Sequence, residues 1–196
     1  MFSGWVSDVA HQAVGHPIAA GVAVFLLAAS EAIPVLGHRP RNSTILAIAA
    51  ITAISSAQIL TLTLAGTLGA ILGDGVSFLA GRCFAGYIEA GGLAGRVGTM
   101  IEDTRPFLAR HGGKSVFFAR FVPGIRAIVP LAAGAMQMPQ RRFYAANIAS
   151  AVVWAPLHIV PAALLGASIW KGDIKVAIVS ALLILVLTIA VYHVHV

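Results

Sequence analysis

The chain has 196 residues, of which 59% are hydrophobic and only 10% are charged, and its net charge is +6 at pH 7. A soluble domain carries about 25% charged and about 45–50% apolar residues. The apolar surplus excludes an ordinary soluble fold and predicts a single membrane domain, residues 1–196, with lipid as the solvent for much of its surface. The basic residues suit anionic headgroups. Because no aromatic residues interleave a basic strand or groove, we expect no nucleic-acid partner.

The first half of the chain predicts two apolar segments. The first covers residues 18–36 and contains Glu31 and Pro34 near its end. The second covers residues 45–72, which at about 1.5 Å per residue is long enough to span a bilayer. Small residues recur at every fourth position from there onward and predict close approach of another helix. They are Gly69, Gly73, Ser77, Gly81 and Ala85.

The triplet Gly73-Asp74-Gly75 follows the second segment. Because glycine weakens a helix and Asp favours its N-terminus, we expect a bend or break here. Asp74 then either caps a short amphipathic helix over residues 76–88 or pairs with a basic group inside the membrane. Residues 89–115 are richer in charge and predict an aqueous loop, with a short helix near 99–110.

The stretch from Val116 to Met138 is apolar but contains two arginines and three helix breakers. Pro123-Gly124 and Pro130 would interrupt the hydrogen-bond ladder of a plain transmembrane helix. Non-helical backbone at membrane depth occurs only where protein buries it or where it lines a cavity. The stretch therefore predicts a re-entrant helical hairpin.

The last two predicted spans cover residues 143–170 and about 174–192. In the first of them, four residues share one face that we expect to point inward, and two prolines predict kinks. The inward residues are Asn147, Ser150, Trp154 and His158, and the prolines are Pro156 and Pro161. Glu31-x-x-Pro34 and Arg120-x-x-Pro123 hint at an inverted repeat like those of many transporters. The predicted fold is all-α, with a re-entrant hairpin over residues 116–138 and about four transmembrane helices.

Arg120 and Arg126 are the candidate chemical groups of the predicted hairpin. A charge at mid-membrane costs roughly 2.5–3.5 kcal/mol, so both arginines imply partners or an anionic ligand. Glu31 and Asp74 are the acids in the apolar part of the chain, and Glu31, once removed from water, could carry a proton. A guanidinium binds phosphate bidentately, and free backbone N–H groups beside a broken helix assist it. Structural ion pairs are the simpler alternative for all four residues.

These residues carry a resemblance to the DedA family, whose domain is also called VTT or SNARE-associated. The family signature resembles the second half of this chain at a set of spaced positions. They are Arg120, Phe121, Pro123, Arg126, Pro130, Ala133, Gly134, Met138, Phe143, Asn147 and Trp154. The first half of the chain resembles a second family element more weakly, at Gly73-Asp74, Gly81-Arg82 and Gly86. The chain departs from the family by Phe78 in place of Tyr, and by lacking an acid after its first Pro and Gly.

The resemblance covers residues 20–170 and implies a multi-pass protein of the bacterial cytoplasmic membrane. It also implies two opposed re-entrant hairpins, the first of them at Glu31 and Pro34. It implies a flippase that moves undecaprenyl phosphate or a phospholipid across the membrane. The expected substrate-binding residues are Arg120, Arg126, Pro123, Gly124 and Asn147. Glu31 and Asp74 are the expected groups for proton or sodium coupling, which the missing first-hairpin acid puts in question. No cofactor and no metal are expected.

Three other functions stay open at the level of sequence. The first is a small-cation or drug/proton antiporter, and the second is an assembly factor without transport. The third is a lipid phosphatase, which would need a histidine near the arginines, and none lies within eight residues of Arg120 or Arg126. We therefore expect no enzymatic activity. Basic residues occupy four separate segments, so the sequence favours neither membrane orientation, and it does not indicate an oligomeric state.

Overall fold

The computed structural model describes residues 17–31, 45, 48–50, 55–89, 96–122 and 125–193. Within these ranges the backbone is helical apart from turns and bends and contains no strand, which confirms the all-α class. The helices are α1 (Pro17–Ser30), α2 (Ser56–Cys83), α3 (Ala85–Glu89), α4 (Arg96–His111), α5 (Gly113–Ala119), α6 (Ile128–Ala135), α7 (Gln140–Lys171) and α8 (Ile174–His193).

Two of these helices, α2 and α7, are long and apolar enough to cross a membrane. They have 28 and 32 residues. At about 1.5 Å per residue they measure about 42 and 48 Å, against a hydrocarbon core about 30 Å thick. α1 and α8 also contain apolar stretches, which are shorter. α7 continues as a helix through Pro156 and Pro161. The kinks expected at these prolines remain a prediction, as does the expected number of four transmembrane helices.

A ridge of aliphatic side chains runs along the outside of α2. Its members recur at every fourth position, which places them on one face of the helix. They are Leu60, Leu64, Leu68, Leu72 and Val76, and each is more than half exposed. Leaving this much apolar surface in water costs about 25 cal/mol for each Å². The ridge is therefore a surface suited to lipid chains.

The predicted break at Gly73-Asp74-Gly75 is wrong, because α2 continues unbroken to Cys83. The predicted separate helix over residues 76–88 is wrong for the same reason, and only the five-residue α3 follows. Asp74 lies in the middle of α2 and caps no helix. Its carboxylate is occupied by an arginine, so it does not compete for the helix backbone. Gly73 packs tightly against a neighbouring helix, which offsets its low helix propensity.

The chain forms two compact units. The first consists of Met1–Ala28, Pro40–Gly69 and Trp154–Val196. Its helices approach each other at glycines. A methyl group built on Gly69 would lie 2.3 Å from the carbonyl oxygen of Phe25, and one built on Gly166 would lie 1.7 Å from that of Ala50. Such backbone contact is the expected use of small residues between membrane helices.

The second unit consists of Ala29–Arg39 and Ala70–Val153. Its core contains the fully buried rings of Phe78 and Phe143, which stack with centroids 4.1 Å apart. The amphipathic helix α4 packs its apolar face, including Ile101 and Leu108, against this core and contacts α5 and α6. The segment predicted as an aqueous loop thus contains a 16-residue helix that covers one side of the core.

Helices α2 and α6 cross at two glycines within this unit. A methyl group on Gly81 would lie 2.0 Å from the carbonyl oxygen of Leu131, and one on Gly134 would lie 2.0 Å from that of Phe78. Each distance is far shorter than a van der Waals contact, so only glycine fits at either position. The predicted stripe of small residues therefore serves two neighbours, with Gly73 against α1 and Gly81 against α6.

Candidate functional site

Arg120 lies at the end of α5 with its side chain buried in the second unit. Its Nη2 nitrogen donates to Oδ2 of Asp74 on α2 at 2.5 Å and also to Oδ1 of Asn147 on α7. Its Nε nitrogen donates to Oγ of Ser150, one turn further along α7, at 2.8 Å. One guanidinium therefore links three helices, which explains how a buried cation is tolerated here.

The residues around Arg120 are themselves held in place. Asn147 donates through Nδ2 to the backbone oxygen of Ile71 at 3.1 Å, so its side chain bridges α7 and α2. Ser150 donates its hydroxyl proton to the backbone oxygen of Asn147 at 2.9 Å, which leaves its oxygen lone pairs for Arg120. The carboxamide and the hydroxyl are oriented as acceptors before any ligand arrives.

A second ion pair joins Arg126 to Glu31. Nη1 of the arginine lies 2.9 Å from Oε2 of the glutamate, and the side chains are 11% and 7% exposed. Glu31 directly follows the end of α1, and Arg126 lies in the turn before α6. Both acids expected from the sequence therefore pair with an arginine, and the structure assigns Asp74 to Arg120 and Glu31 to Arg126.

The two pairs are connected through the main chain at Gly73. A methyl group on this glycine would lie 2.4 Å from the carbonyl oxygen of Ala29, so α1 and α2 touch at this point. Asp74 is the next residue along α2, and Glu31 is two residues beyond Ala29. The two acids therefore lie one and two residues away from the same backbone contact between α1 and α2.

The Nη1 nitrogen of Arg120 is buried and makes no hydrogen bond with any part of the chain that the structure describes. An unmatched charged donor costs more than an unmatched neutral one, which makes this nitrogen a natural contact for an anionic oxygen. The guanidinium is thus held through Nε and Nη2 by Asp74, Asn147 and Ser150, and Nη1 is its one nitrogen left without an acceptor in the described part of the chain.

The sequence prediction of an inward face on α7 is confirmed for Asn147, Ser150 and Trp154, which are buried, whereas His158 is half-buried. Ser150 was not among the predicted site residues, although its position three residues after Asn147 was the available signal. Pro123 and Gly124, predicted to bind substrate, lie outside the described residues, as does Pro34. No group of three metal-binding side chains occurs in the described ranges.

Replacing Ser150 with alanine should lower the free energy of unfolding by about 1–3 kcal/mol, because Nε of Arg120 would lose its acceptor inside the protein. Ser168→Ala is the matched control. Ser168 is a buried serine on the same helix whose hydroxyl bonds to its own helix, at Leu164. Denaturation of both variants in detergent micelles measures the difference. Equal stability of the two variants would contradict the hydrogen bond from Nε of Arg120 to Ser150.

Comparison with known proteins identifies the family of the chain. The VTT domain model matches residues 40–164, well over half of the chain. Inner membrane protein YabI of Escherichia coli (strain K12) is 30% identical over 106 residues, which cover 54% of this chain and 42% of YabI. Protein DedA of the same strain is 34% identical over 88 residues, which cover 44% of this chain and 40% of DedA.

Inner membrane protein YohD of that strain is 35% identical over 88 residues, covering 45% of each chain. The matched segments thus span less than half the length of these relatives. No solved structure matches the chain. The domain match, the relatives and the lipid-suited surface agree, and the chain belongs to the DedA family of membrane proteins that carry the VTT domain.

Proposed function

We propose that this protein is a flippase that moves an anionic lipid phosphate, undecaprenyl phosphate or a phospholipid, across the bacterial cytoplasmic membrane. The observation that carries the proposal is the buried site of the second unit. There, two arginines each face an acid, and Nη1 of Arg120 has no partner among the described residues. A phosphate supplies oxygens that match this donor in charge and geometry.

The two arginines have different roles in this proposal. Arg120 has three side-chain partners on two helices and stays in place as a fixed donor. Arg126 forms its salt bridge to Glu31 at the end of α1 and is the more exposed arginine of the two. Protonation of Glu31 weakens that pair and makes the guanidinium of Arg126 more available to the phosphate. Proton binding and lipid binding are thereby coupled, and sodium is the other ion to test.

The hairpin architecture belongs to the same proposal. α5 and α6 have seven and eight residues, so each is about 10–12 Å long and far too short to span about 30 Å of hydrocarbon. They flank residues 120–127, which contain both arginines and Pro123. These lengths support a re-entrant hairpin that presents the arginines at membrane depth. The second hairpin of the inverted repeat is proposed for the segment of Glu31 and Pro34.

The geometry favours an anion over a cation as the transported group. A cation that used Asp74 or Glu31 as a ligand would have to displace an arginine from each carboxylate. An anion instead uses the guanidinium groups, which are donors only. A small-cation or drug/proton antiporter therefore remains the second candidate. We propose no phosphatase activity, because the hydroxyl of Ser150 donates to a backbone oxygen and accepts from Arg120.

Arg126→Ala should slow flipping of a fluorescent lipid phosphate in liposomes by at least about tenfold, equivalent to about 1.4 kcal/mol. Arg126→Lys should also be impaired, because it keeps the charge but loses the bidentate fork. Arg105→Ala is the control, since Arg105 forms an ion pair with Glu102 near the surface, worth little energy. The rate is measured by quenching of the labelled headgroup from outside.

The same liposomes distinguish the other functions. Normal flipping by both Arg126 variants would overturn the phosphate site. Release of inorganic phosphate from the lipid would indicate an enzyme. Transport of a soluble cation that does not depend on the lipid phosphate would indicate the antiporter.

A further inference from the structure

Three segments that are far apart in the sequence meet at one end of the second unit. Arg82, in the last turn of α2, donates through Nη1 to the backbone oxygen of Met138 at 3.2 Å. Gln137 donates in return through Nε2 to the backbone oxygen of Arg82 at 3.3 Å. The end of α2 is thereby fastened to the turn that precedes α7.

The turn between α4 and α5 joins the same end. The side chain of Arg142, in the first turn of α7, lies across Gly112 and Gly113. Methyl groups on these glycines would lie 3.4 Å from its Nη1 and 3.2 Å from its Cγ. Arg110 and Lys114 flank the two glycines in the sequence. Basic residues of α2, of the adjoining ends of α4 and α5 and of α7 therefore occur at the same end of the second unit.

We call this surface the basic end, and it consists of Arg82, Arg110, Lys114, Arg141 and Arg142. The last four are exposed. Among the residues that the structure describes, none of the five forms an ion pair, unlike Arg120 and Arg126 of the buried site. Four exposed positive charges and the half-buried Arg82 thus lie at this end without an acidic partner at contact distance in the described ranges.

Exposed aromatic rings lie beside the basic end. Phe84 and Tyr87 follow Arg82 by two and five residues and are 62% and 60% exposed. Aromatic residues collect at the boundary between lipid chains and water, where rings sit at headgroup level. Rings and cations at the same end of a membrane protein therefore mark a membrane–water boundary.

We propose that the basic end faces the cytoplasm and binds the anionic phospholipid headgroups of the inner leaflet. Short segments rich in Lys and Arg next to membrane helices are retained on the cytoplasmic side. Each basic residue near an anionic surface strengthens binding about fivefold, an effect that salt screens. The proposal is independent of the flippase function, since no residue of the buried site belongs to this surface.

Cys83, the chain's single cysteine, provides the test of orientation because it is exposed and adjoins Arg82. A membrane-impermeant maleimide should leave Cys83 unlabelled in intact cells and label it in inverted membrane vesicles. A permeant maleimide should label it in both. Labelling by the impermeant reagent in intact cells would overturn the cytoplasmic assignment.

Lipid binding is tested with a fluorophore on Cys83 in nanodiscs of mixed phosphatidylglycerol and phosphatidylcholine. Headgroup-quencher-labelled phosphatidylglycerol should quench it at least about fivefold more than labelled phosphatidylcholine at low salt, the effect of a single basic residue. The preference should disappear near 0.5 M salt, where the Debye length is about 4 Å. Arg110→Gln with Lys114→Gln should at least halve the preference, since both side chains are exposed.

Arg105→Gln is the matched control, because Arg105 lies in the same unit but is already paired with Glu102. It should leave the quenching preference unchanged. Equal quenching by both lipids in the wild-type protein would overturn the lipid-binding assignment. The assignment would also be overturned if the double variant eluted as a folded protein and kept the full preference for phosphatidylglycerol.

Discussion

Replacing Gly134 with alanine is expected to destabilise the protein by about 3 kcal/mol, at the upper end of the usual cost of overpacking. The added methyl group would lie 2.0 Å from the carbonyl oxygen of Phe78 and 2.8 Å from the backbone nitrogen of Arg82. Both atoms belong to the backbone of α2, so no side-chain rotation relieves the clash and the two helices must separate. The midpoint of denaturation in detergent micelles measures the loss.

Gly86→Ala is the matched control, since a methyl group there has no neighbour within 4 Å. Its stability should stay within about 0.5 kcal/mol of the wild-type value or rise slightly, because alanine favours a helix over glycine. Gly81→Ala tests the crossing from the other helix and should resemble Gly134→Ala. If Gly134→Ala denatured at the same midpoint as Gly86→Ala, the close crossing of α2 and α6 would be wrong.

Breaking the ion pair of Arg120 and Asp74 on one side should cost about 3–5 kcal/mol, because the remaining charge stays buried without its counter-charge. Arg120→Leu and Asp74→Leu should therefore each destabilise the protein strongly. The double variant should lose less than the sum of the two single variants, with a coupling energy of about 2 kcal/mol or more. Denaturation of the wild-type protein, the two single variants and the double variant in the same detergent gives this double-mutant cycle.

The same double-mutant cycle on the ion pair of Arg105 and Glu102, on α4, serves as the comparison. Its nitrogen–oxygen distance is 3.0 Å, but its glutamate is 62% exposed. Exposed pairs of this kind contribute about 0.2–1 kcal/mol. Additive losses for Arg120 and Asp74, with no larger coupling than in the α4 pair, would contradict a buried ion pair.

The sequence predicted which charges need partners but not which partners they take. A charge inside an apolar stretch carries a cost wherever it lies, so Arg120 and Arg126 stood out without any structure. Glu31 and Asp74 were the available acids, and both are used. The assignment of each acid depends on how α1, α2 and the segment after α5 pack, and that packing leaves no local signal in the chain.

The wrong break at Gly73-Asp74-Gly75 has a similar cause. Local propensity counts each residue by its own backbone preference, and by that measure two glycines and an aspartate end a helix. In the folded protein Gly73 gains contact with α1 and Asp74 gains Arg120. Tertiary contacts of this size outweigh propensity differences of about 1 kcal/mol per residue. Ser150 was predicted to point inward but not to contact Arg120, because helical spacing indicates a shared face and not the partner that lies against it.

The backbone contact between Gly73 and Ala29 bears on the substrate range of the proposed flippase. The contact lies one residue before Asp74 and two residues before Glu31, so both acids are anchored next to the same crossing of α1 and α2. Each acid in turn pairs with one arginine. If the proposed lipid phosphate is the substrate, a different residue at this crossing should change which anion fits while every charge in the site stays the same.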